Sequence, residues 1–269
     1  MVFFPNAKIN LGLHITSKRR DGYHNIESVF MPIPINDALE ITINNSQKTI
    51  FSSAGIDIPS DGKPNLVERA WNILNSEYNI PTVDLDLIKK IPIGAGLGGG
   101  SSDAAACILG LNEMFELNLS EKELLSVASQ LGADCAFFVK NKPVYAEGIG
   151  DVFSEIELNL NGLHFIVIYP NIHVSTPKAY KHVIPKLPQK NIRDILSKPI
   201  QNWKEELKND FENSVLKEFP KIRDVKQILY DEGAEYASMS GSGSSIFGIF
   251  EKEPTGSFNE FGNVWKFNL

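Results

Sequence analysis

The feature that most constrains this chain is a cluster of glycines in its first half. Five of the 20 glycines in the 269-residue sequence lie at positions 94–100, within the segment Pro92-Ile93-Gly94-Ala95-Gly96-Leu97-Gly98-Gly99-Gly100-Ser101-Ser102. Apolar residues then recur at helical spacing between Ile108 and Phe115, and they predict an amphipathic helix over 102–117. Glycines let backbone N–H groups approach a ligand, and a helix start adds unpaired donors and partial positive charge. The segment therefore predicts a phosphate-binding loop.

Three other interpretations of the loop are weaker. A flexible linker seldom lies between a strand and a well-formed helix. Gly94, Gly96 and Gly99 satisfy the G-x-G-x-x-G pattern of dinucleotide-binding folds, but the preceding residues 84–90 are too charged for a buried parallel strand. A Walker A loop is absent, because Gly100 is followed by Ser101 and not by lysine.

Composition narrows the class of protein. The formal charge is −7, and no run of basic residues is longer than Lys18-Arg19-Arg20, so nucleic acid is not an expected partner. Cys107 and Cys135 are too few for a disulfide framework and lie among small apolar residues, which predicts reduced, buried thiols. The N-terminus has no basic leader, and no run of 18 apolar residues occurs, so we expect a cytoplasmic protein with no membrane partner.

The order of predicted elements is β-rich first and mixed afterwards. Residues 7–15 alternate as in a half-buried strand, which places Lys8 and Asn10 on the face opposite the apolar one. Further strands are predicted over 26–33, 39–43, 83–89, 164–169, 236–239 and 245–250, and helices from a cap at Asn65, over 120–132 from a capping box, from an N-cap at Thr176, and over 203–218 and 221–232. We expect a surface excursion over 181–199 and two domains, 1–156 and 157–269.

Two charged residues are candidates for the chemistry of phosphoryl transfer. The loop has no lysine, so another cation must offset the charge on a transferring phosphoryl group, and we favour Lys8. Asp134 lies just after a predicted helix end, among small apolar residues over 132–138, so an ionised carboxylate there needs a cationic or hydrogen-bonding partner. By spacing alone, Lys8 is more typical of an exposed surface charge and Asp134 of a helix cap.

Three segments, 5–11, 92–105 and 239–243, resemble in order the three motifs of the GHMP kinases. Asp21-Gly22-Tyr23-His24, Leu131-Gly132-Ala133-Asp134 and Asn209-Asp210-Phe211-Glu212 further resemble the branch of that family that acts on a cytidine-diphosphate-linked methylerythritol. The resemblance extends from about residue 5 to 250. It implies a two-domain α+β fold with a β-rich N-terminal α/β domain (ribosomal protein S5 domain 2-like), a ferredoxin-like C-terminal domain and the active site in the cleft between them.

The resemblance also implies a reaction and its participants. ATP, with Mg²⁺, would phosphorylate the 2-hydroxyl of the cytidylated alcohol, a step of non-mevalonate isoprenoid precursor synthesis. Asp134 would take the hydroxyl proton or mainly place the hydroxyl, and Lys8 would orient both groups and stabilise the phosphoryl oxygens. The ATP-binding set would be Asn65, Pro92, Gly94, Ala95, Gly96, Leu97, Gly98, Gly99, Gly100, Ser101, Ser102, Gly241 and Ser242, with Ser101 or Ser102 near Mg²⁺.

Substrate contacts follow from the same resemblance. Tyr23 and His24 would bind the cytosine, Thr176 and Tyr180 would complete that site, and Asn10 would touch the methylerythritol end. A Tyr-His pair after a turn is otherwise typical of simple packing, and Asn65 of a helix cap. Gly241-Ser242-Gly243 is otherwise an ordinary hairpin turn.

Two alternatives for the function stay open. One is a sister kinase of the same family that acts on mevalonate, phosphomevalonate or homoserine. The other is a catalytically silent nucleotide-binding regulator on the same fold, although the presence of both Lys8 and Asp134 argues against it. In either case the expected partner is a small molecule, and the chain is expected to be a monomer or weak homodimer.

Overall fold

A computed structural model describes residues 1–59 and 62–269 of the chain. The strands are β1 (Val2–Phe3), β2 (Asn6–Lys18), β3 (His24–Asn36), β4 (Ala38–Ile43), β5 (Ile50–Gly55), β6 (Val83–Lys89), β7 (Val144–Glu147), β8 (Val152–Glu155), β9 (His164–Tyr169), β10 (Tyr236–Met239), β11 (Ile246–Phe250) and β12 (Asn263–Asn268). The α-helices are α1 (Leu66–Tyr78), α2 (Gly99–Met114), α3 (Glu121–Leu131), α4 (Ala133–Lys140), α5 (Thr176–Lys181), α6 (Ile192–Leu196), α7 (Trp203–Glu206), α8 (Glu212–Glu218) and α9 (Pro220–Asp231).

The chain divides into two units, each assembled from several segments. Unit 1 comprises Met1–Lys8, Pro32–Ile93 and Gly98–Lys142, and unit 2 comprises Ile9–Met31, Gly94–Leu97 and Pro143–Leu269. The predicted boundary after residue 156 divides the chain into two continuous domains, and that boundary stays a prediction.

Unit 1 contains a sheet with strand order β1-β4-β6-β5 and the helices α1 to α4. Helix α1 begins at the predicted cap, where the Asn65 side chain accepts from the Val67 N–H and Glu68 completes a capping box. Helix α2 packs on α1, α3, α4 and β4, so it is central to the unit. Its start is at Gly99, three residues earlier than predicted, and its small residues are buried on several sides, so the predicted single apolar stripe was wrong.

Unit 2 contains an antiparallel sheet with strand order β10-β11-β9-β12, against which α9 packs. The predicted helix over 203–218 was wrong: it is broken between α7 and α8. The break has a physical cause, since Leu13 donates its N–H to the Lys208 carbonyl at 2.9 Å and accepts from the Asp210 N–H at 2.9 Å. This pairing with β2 requires extended backbone, which a helix cannot supply.

Three further expectations needed correction. The 181–199 excursion contains α6, whose Ile192 and Ile195 are buried. The N-cap before α5 is Ser175, not Thr176, which is the first helical residue. The third sheet has strand order β2-β3-β7-β8, and β2 is buried on both faces over 7–15, not on one. The predicted strands over 26–33, 39–43, 83–89, 164–169, 236–239 and 245–250 are confirmed within a few residues of their ends.

Candidate active site

The glycine loop joins β6 to α2 through backbone that only glycine adopts readily. Gly94, Gly96 and Gly98 have φ angles of +65°, +78° and +72°. The loop is anchored by its apolar side chains, since Ala95 and Leu97 are buried. The first amides of α2, over 99–101, have no acceptor within the helix and lie at its positive end. The loop is thus a rigid, glycine-rich turn that leads to unpaired amides at the start of α2; phosphate binding there stays a prediction.

The consecutive glycines at the start of α2 serve different purposes. A Cβ on Gly98 would lie 2.9 Å from the Phe138 ring and 3.2 Å from Lys8 Cγ, and a Cβ on Gly99 would lie 2.7 Å from Lys89 Nζ. Packing therefore explains both. Gly100 is exposed and helical, and a Cβ there would meet no protein atom nearer than Leu66 Cδ1 at 3.8 Å. Within residues 1–59 and 62–269, no packing contact requires a glycine at 100, and its backbone is open to approach.

Lys8 and Asp134, which are far apart in the sequence, meet in unit 1. Lys8 Nζ lies 3.6 Å from Asp134 Oδ2; the Lys8 side chain is 5% exposed and that of Asp134 is 36% exposed. Asp134 is the second residue of α4, a helix that the sequence analysis missed because Gly132 both ends α3 and begins α4. An ionised carboxylate is favoured in the first turn of a helix, where the helix dipole is positive.

Side chains around Asp134 connect α4 to α2. The Cys135 thiol is hydrogen-bonded to the Ser101 side chain, and burial raises its pKa to about 11, so it stays protonated at neutral pH. Burial likewise raises the pKa of the Cys107 thiol. Both cysteines are free and buried, as predicted. Cys135 therefore serves as a packing residue next to the catalytic candidates.

The second small-residue turn, over 240–245, contacts the loop segment 94–97 within unit 2. Ser240 Oγ donates to the Gly96 carbonyl at 2.8 Å, and the Ser245 N–H donates to the Ala95 carbonyl at 3.0 Å. A Cβ on Gly96 would lie 2.0 Å from the Ser240 carbonyl oxygen, so no other residue fits there. The motifs that the sequence analysis singled out separately thus touch each other.

Asn209 holds the 239–241 turn and was absent from the predicted set. It is buried, and its Nδ2 donates to the carbonyls of Met239 and Gly241 at 2.8 Å each, which fixes the turn that carries Ser242. Its Oδ1 accepts from the Phe211 N–H at 3.0 Å. The Asn-Asp-Phe-Glu segment was the available signal, but only as a resemblance without an assigned role.

Two of the three aromatic residues predicted to bind cytosine stack on each other. His24 and Tyr180 stack with ring centroids 4.8 Å apart and 21° between their planes, and Tyr180 also meets the Phe211 ring edge-on at 4.8 Å. Burial, with a smaller effect from Lys18, lowers the pKa of His24, so its imidazole is neutral at pH 7. Tyr23 is instead 62% exposed.

The remaining predicted residues hold polar positions. Thr176 and Ser242 share a hydrogen bond of 3.2 Å between their hydroxyls. Asn10 is buried and donates to Ser28 Oγ at 3.0 Å, and Asn65 is engaged as the α1 cap. Pro92 and Ser102 are buried beside the loop.

The described part of the chain has neither a cluster of metal-ligating side chains nor a membrane-spanning helix. Over residues 1–59 and 62–269, no group of three or more His, Cys, Asp or Glu side chains is placed to hold a metal ion. Over the same ranges, no helix combines the length and apolarity needed to cross a bilayer.

Comparison with known proteins identifies the family of the chain. The family described as GHMP kinases N terminal domain matches residues 65–142, and GHMP kinases C terminal matches residues 191–258. A 4-diphosphocytidyl-2-C-methyl-D-erythritol kinase from Bacteroides fragilis is 51% identical over 255 residues, which cover 94% of this chain and 93% of that protein.

Solved structures show the same fold. A crystal structure of 4-(cytidine 5'-diphospho)-2C-methyl-D-erythritol kinase superposes with a TM-score of 0.82 at 29% identity, covering 99% of this chain and 98% of the other. Mevalonate kinase from Methanococcus jannaschii has a TM-score of 0.70 at 15% identity, covering 100% of this chain and 97% of the other, which shows a shared fold alone. The predicted two-domain α+β fold is confirmed. The chain therefore belongs to the GHMP kinase family and, within it, to the group of 4-diphosphocytidyl-2-C-methyl-D-erythritol kinases.

Proposed function

We propose that the chain transfers the γ-phosphate of ATP to the 2-hydroxyl of 4-diphosphocytidyl-2-C-methyl-D-erythritol, with Lys8 and Asp134 at the acceptor hydroxyl. The observation that carries the proposal is the meeting of these two side chains at 3.6 Å, next to Gly98 at the start of α2. The substrate follows from the names of relatives at about half identity over nearly the whole chain.

The reaction forms a bond between the acceptor oxygen and the γ-phosphorus and breaks the bond to the β,γ-bridging oxygen, which leaves with ADP. Asp134 accepts the hydroxyl proton, and its partial exposure lets it reach a substrate. Lys8 is held by its buried stem, so its ammonium faces a fixed position where it offsets charge on the phosphoryl oxygens. In a loose transition state the proton leaves late, and Asp134 then acts first by placing the hydroxyl.

The amides of Gly99 to Ser101 bind the phosphate chain in this proposal. Gly100 supports it, because a glycine at this exposed helical position has no packing explanation. Mg²⁺ fits as an ion carried by the nucleotide, since it prefers oxygen ligands and keeps few protein contacts. The Ser101 hydroxyl is the available ligand on α2, with Ser102 as the neighbouring candidate. When bound, the ion supplies charge neutralisation on the phosphates.

Further residues make the remaining contacts that we propose. The neutral imidazole of His24 both donates and accepts hydrogen bonds, as the edge of cytosine requires, and Tyr180 provides a ring for stacking. Thr176 and the exposed Tyr23 complete that set, and Asn10 contacts the methylerythritol end. The turn with Gly241 and Ser242 contacts phosphate, and Asn65 the nucleoside of ATP. The cytoplasmic location and the monomeric or weakly dimeric state stay predictions.

The test is a coupled assay of ADP release with Mg-ATP and each candidate acceptor. We expect release with the cytidylated alcohol and only background release with mevalonate, phosphomevalonate or homoserine. Asp134→Asn serves as the control for uncoupled ATP hydrolysis. If mevalonate or homoserine stimulates ADP release and the cytidylated alcohol does not, the proposed substrate is wrong and the chain is a sister kinase of the same family. ATP binding without release for any acceptor would favour a silent regulator.

A further inference from the structure

Three charged side chains are buried beneath the start of α2, and the proposed reaction does not use them. Asp37 lies between β3 and β4, Lys89 ends β6, and Asp103 is the fifth residue of α2; each is at most 2% exposed. Lys89 Nζ donates to Asp103 Oδ2 at 2.8 Å and forms a close ion pair with Asp37 Oδ2. Burying charge is costly unless every group is paired, so the cluster demands an explanation.

Asp37 fixes the chain before the phosphate loop. Its Oδ1 accepts from the backbone N–H groups of Lys90 and Ile91, the two residues before Pro92. Its own N–H donates to the Pro5 carbonyl at 2.9 Å, close to the strand that carries Lys8. The path of the backbone out of β6 is therefore set by one buried carboxylate.

Lys89 and Asp103 fix the chain after the loop. The backbone of Gly99 lies directly on the Lys89 ammonium, where even a Cβ would come within 2.7 Å. Asp103, one turn further along α2, holds the same ammonium from the other side. The first turn of α2, with the amides proposed to bind phosphate, thus rests on this ion pair.

The cluster is incomplete in one respect. Asp103 Oδ1 is fully buried and has no hydrogen-bond partner among the described residues. A buried carboxylate with one oxygen unpaired and the Asp37 carboxylate close by is poorly stabilised for packing alone. Its retention at this place is better explained by the position it gives Lys89 under Gly99.

We propose that Asp103 is a positioning residue for ATP, which acts through Lys89 on the first turn of α2. The proposal rests on the proposed function, because it assumes that the amides of this turn bind the triphosphate. It makes Asp103 specific for the nucleotide, because the partner of Asp103 is the Lys89 ammonium beneath the proposed phosphate site.

The test compares Asp103→Ala and Asp103→Asn in the full chain, by equilibrium binding of ATP and by the KM for each substrate. We expect the alanine variant to raise the ATP dissociation constant about tenfold, because Lys89 loses its acceptor on α2. The asparagine variant keeps an oxygen acceptor and should raise it about threefold. The KM for the cytidylated alcohol should stay within about twofold of wild type in both. Glu121→Gln, which removes the carboxylate of the exposed Lys140–Glu121 pair in the same unit, should change neither constant.

The outcomes separate this inference from the proposed function. Wild-type protein that fails to bind ATP would overturn the proposed function itself. Wild-type binding with an unchanged dissociation constant in the alanine variant, or a parallel rise in both KM values, would overturn the positioning role. If the alanine variant does not fold, the asparagine variant decides: binding equal to wild type contradicts the proposal.

Discussion

Unit 1 contains two clusters of lysine and aspartate that flank neighbouring glycines and differ in tightness. Lys8 and Asp134 lie 3.6 Å apart beside Gly98, and Asp134 is partly exposed. Lys89 lies beneath Gly99 with a 2.8 Å bond to Asp103, and all of its partners are buried. The looser pair has room to exchange its partner for a substrate hydroxyl. The tighter cluster holds backbone in place and has no access to a substrate.

This difference predicts which variants alter rate and which alter stability or nucleotide binding. In the proposed reaction the partly exposed Asp134 carboxylate takes part in the chemistry, and a change there costs the fold little because water solvates this side chain. The buried carboxylates hold the backbone in position, so any change to them disturbs that backbone.

The largest effect is expected for Asp134→Asn. Loss of a positioned acid–base group should lower kcat by about 100-fold or more. The ATP dissociation constant and the melting temperature should stay close to wild type, because the side chain is partly exposed and lies off α2. Turnover kinetics, an ATP titration and thermal unfolding measure these three quantities. Unchanged turnover would remove Asp134 from the mechanism and with it the contrast between the clusters.

A smaller loss of rate is expected for Lys8→Met, which keeps the buried stem against Gly98 and removes the ammonium. If the ammonium stabilises charge mainly in the transition state, kcat should fall by about 30-fold while the KM for the cytidylated alcohol changes by less than about threefold. Steady-state kinetics in both substrates checks this. A rise in KM at constant kcat would contradict the role proposed and make Lys8 a binding residue only.

A still smaller effect is expected for Gly100→Ala, which separates ligand approach from packing. Alanine suits a helix better than glycine, and the site has room for a Cβ, so the melting temperature should hold or rise. The methyl group would stand where phosphate approaches, so the ATP dissociation constant should rise about fivefold.

Gly98→Ala is the matched control, because its positive φ and the nearby Phe138 ring should lower stability. Thermal unfolding and ATP titration of both variants give the comparison. Normal ATP affinity in folded Gly100→Ala protein would count against phosphate binding at this turn.

The sequence was sufficient for features that local chemistry decides. The caps at Asn65 and Ser120 predicted helix starts correctly, because side-chain and backbone groups a few residues apart satisfy each other. The alternation over 7–15 predicted β2, and the glycine pattern predicted the loop and a helix directly after it, although α2 starts three residues earlier than expected.

Features that depend on contacts between residues distant in the sequence could not be predicted from local patterns. The break at 207–211 depends on pairing with β2, and burial of both faces of β2 depends on what packs on each side. The convergence of Lys8 on Asp134 was proposed through a resemblance and not through spacing. Lys89 was not among the predicted site residues, since nothing local shows that Asp37 and Asp103 bury it.

The smallest expected effect concerns pH and belongs to the buried cluster alone. Burial raises the pKa of Asp103 to about 7, although the Lys89 ammonium opposes the shift and the Asp37 carboxylate adds to it. In the unfolded chain the pKa is an ordinary aspartate value near 3.8. The folded protein therefore keeps this proton where the unfolded chain has lost it. The stabilisation that the folded state gains from holding this proton is fully present below about pH 4 and is lost as the pH rises through about 7.

Urea unfolding of wild type and Asp103→Asn between pH 4.5 and 8 should reveal this dependence. Relative to the variant, wild type should lose on the order of 1 kcal/mol or more over that range, since each pKa unit corresponds to about 1.4 kcal/mol. Asp134→Asn, which alters the partly exposed carboxylate of the other cluster, should show the same pH dependence as wild type. If the free energies of unfolding of wild type and Asp103→Asn change with pH in the same way, the buried carboxylate does not titrate between pH 4.5 and 8. The two clusters would then differ in access to substrate but not in the protonation of their carboxylates.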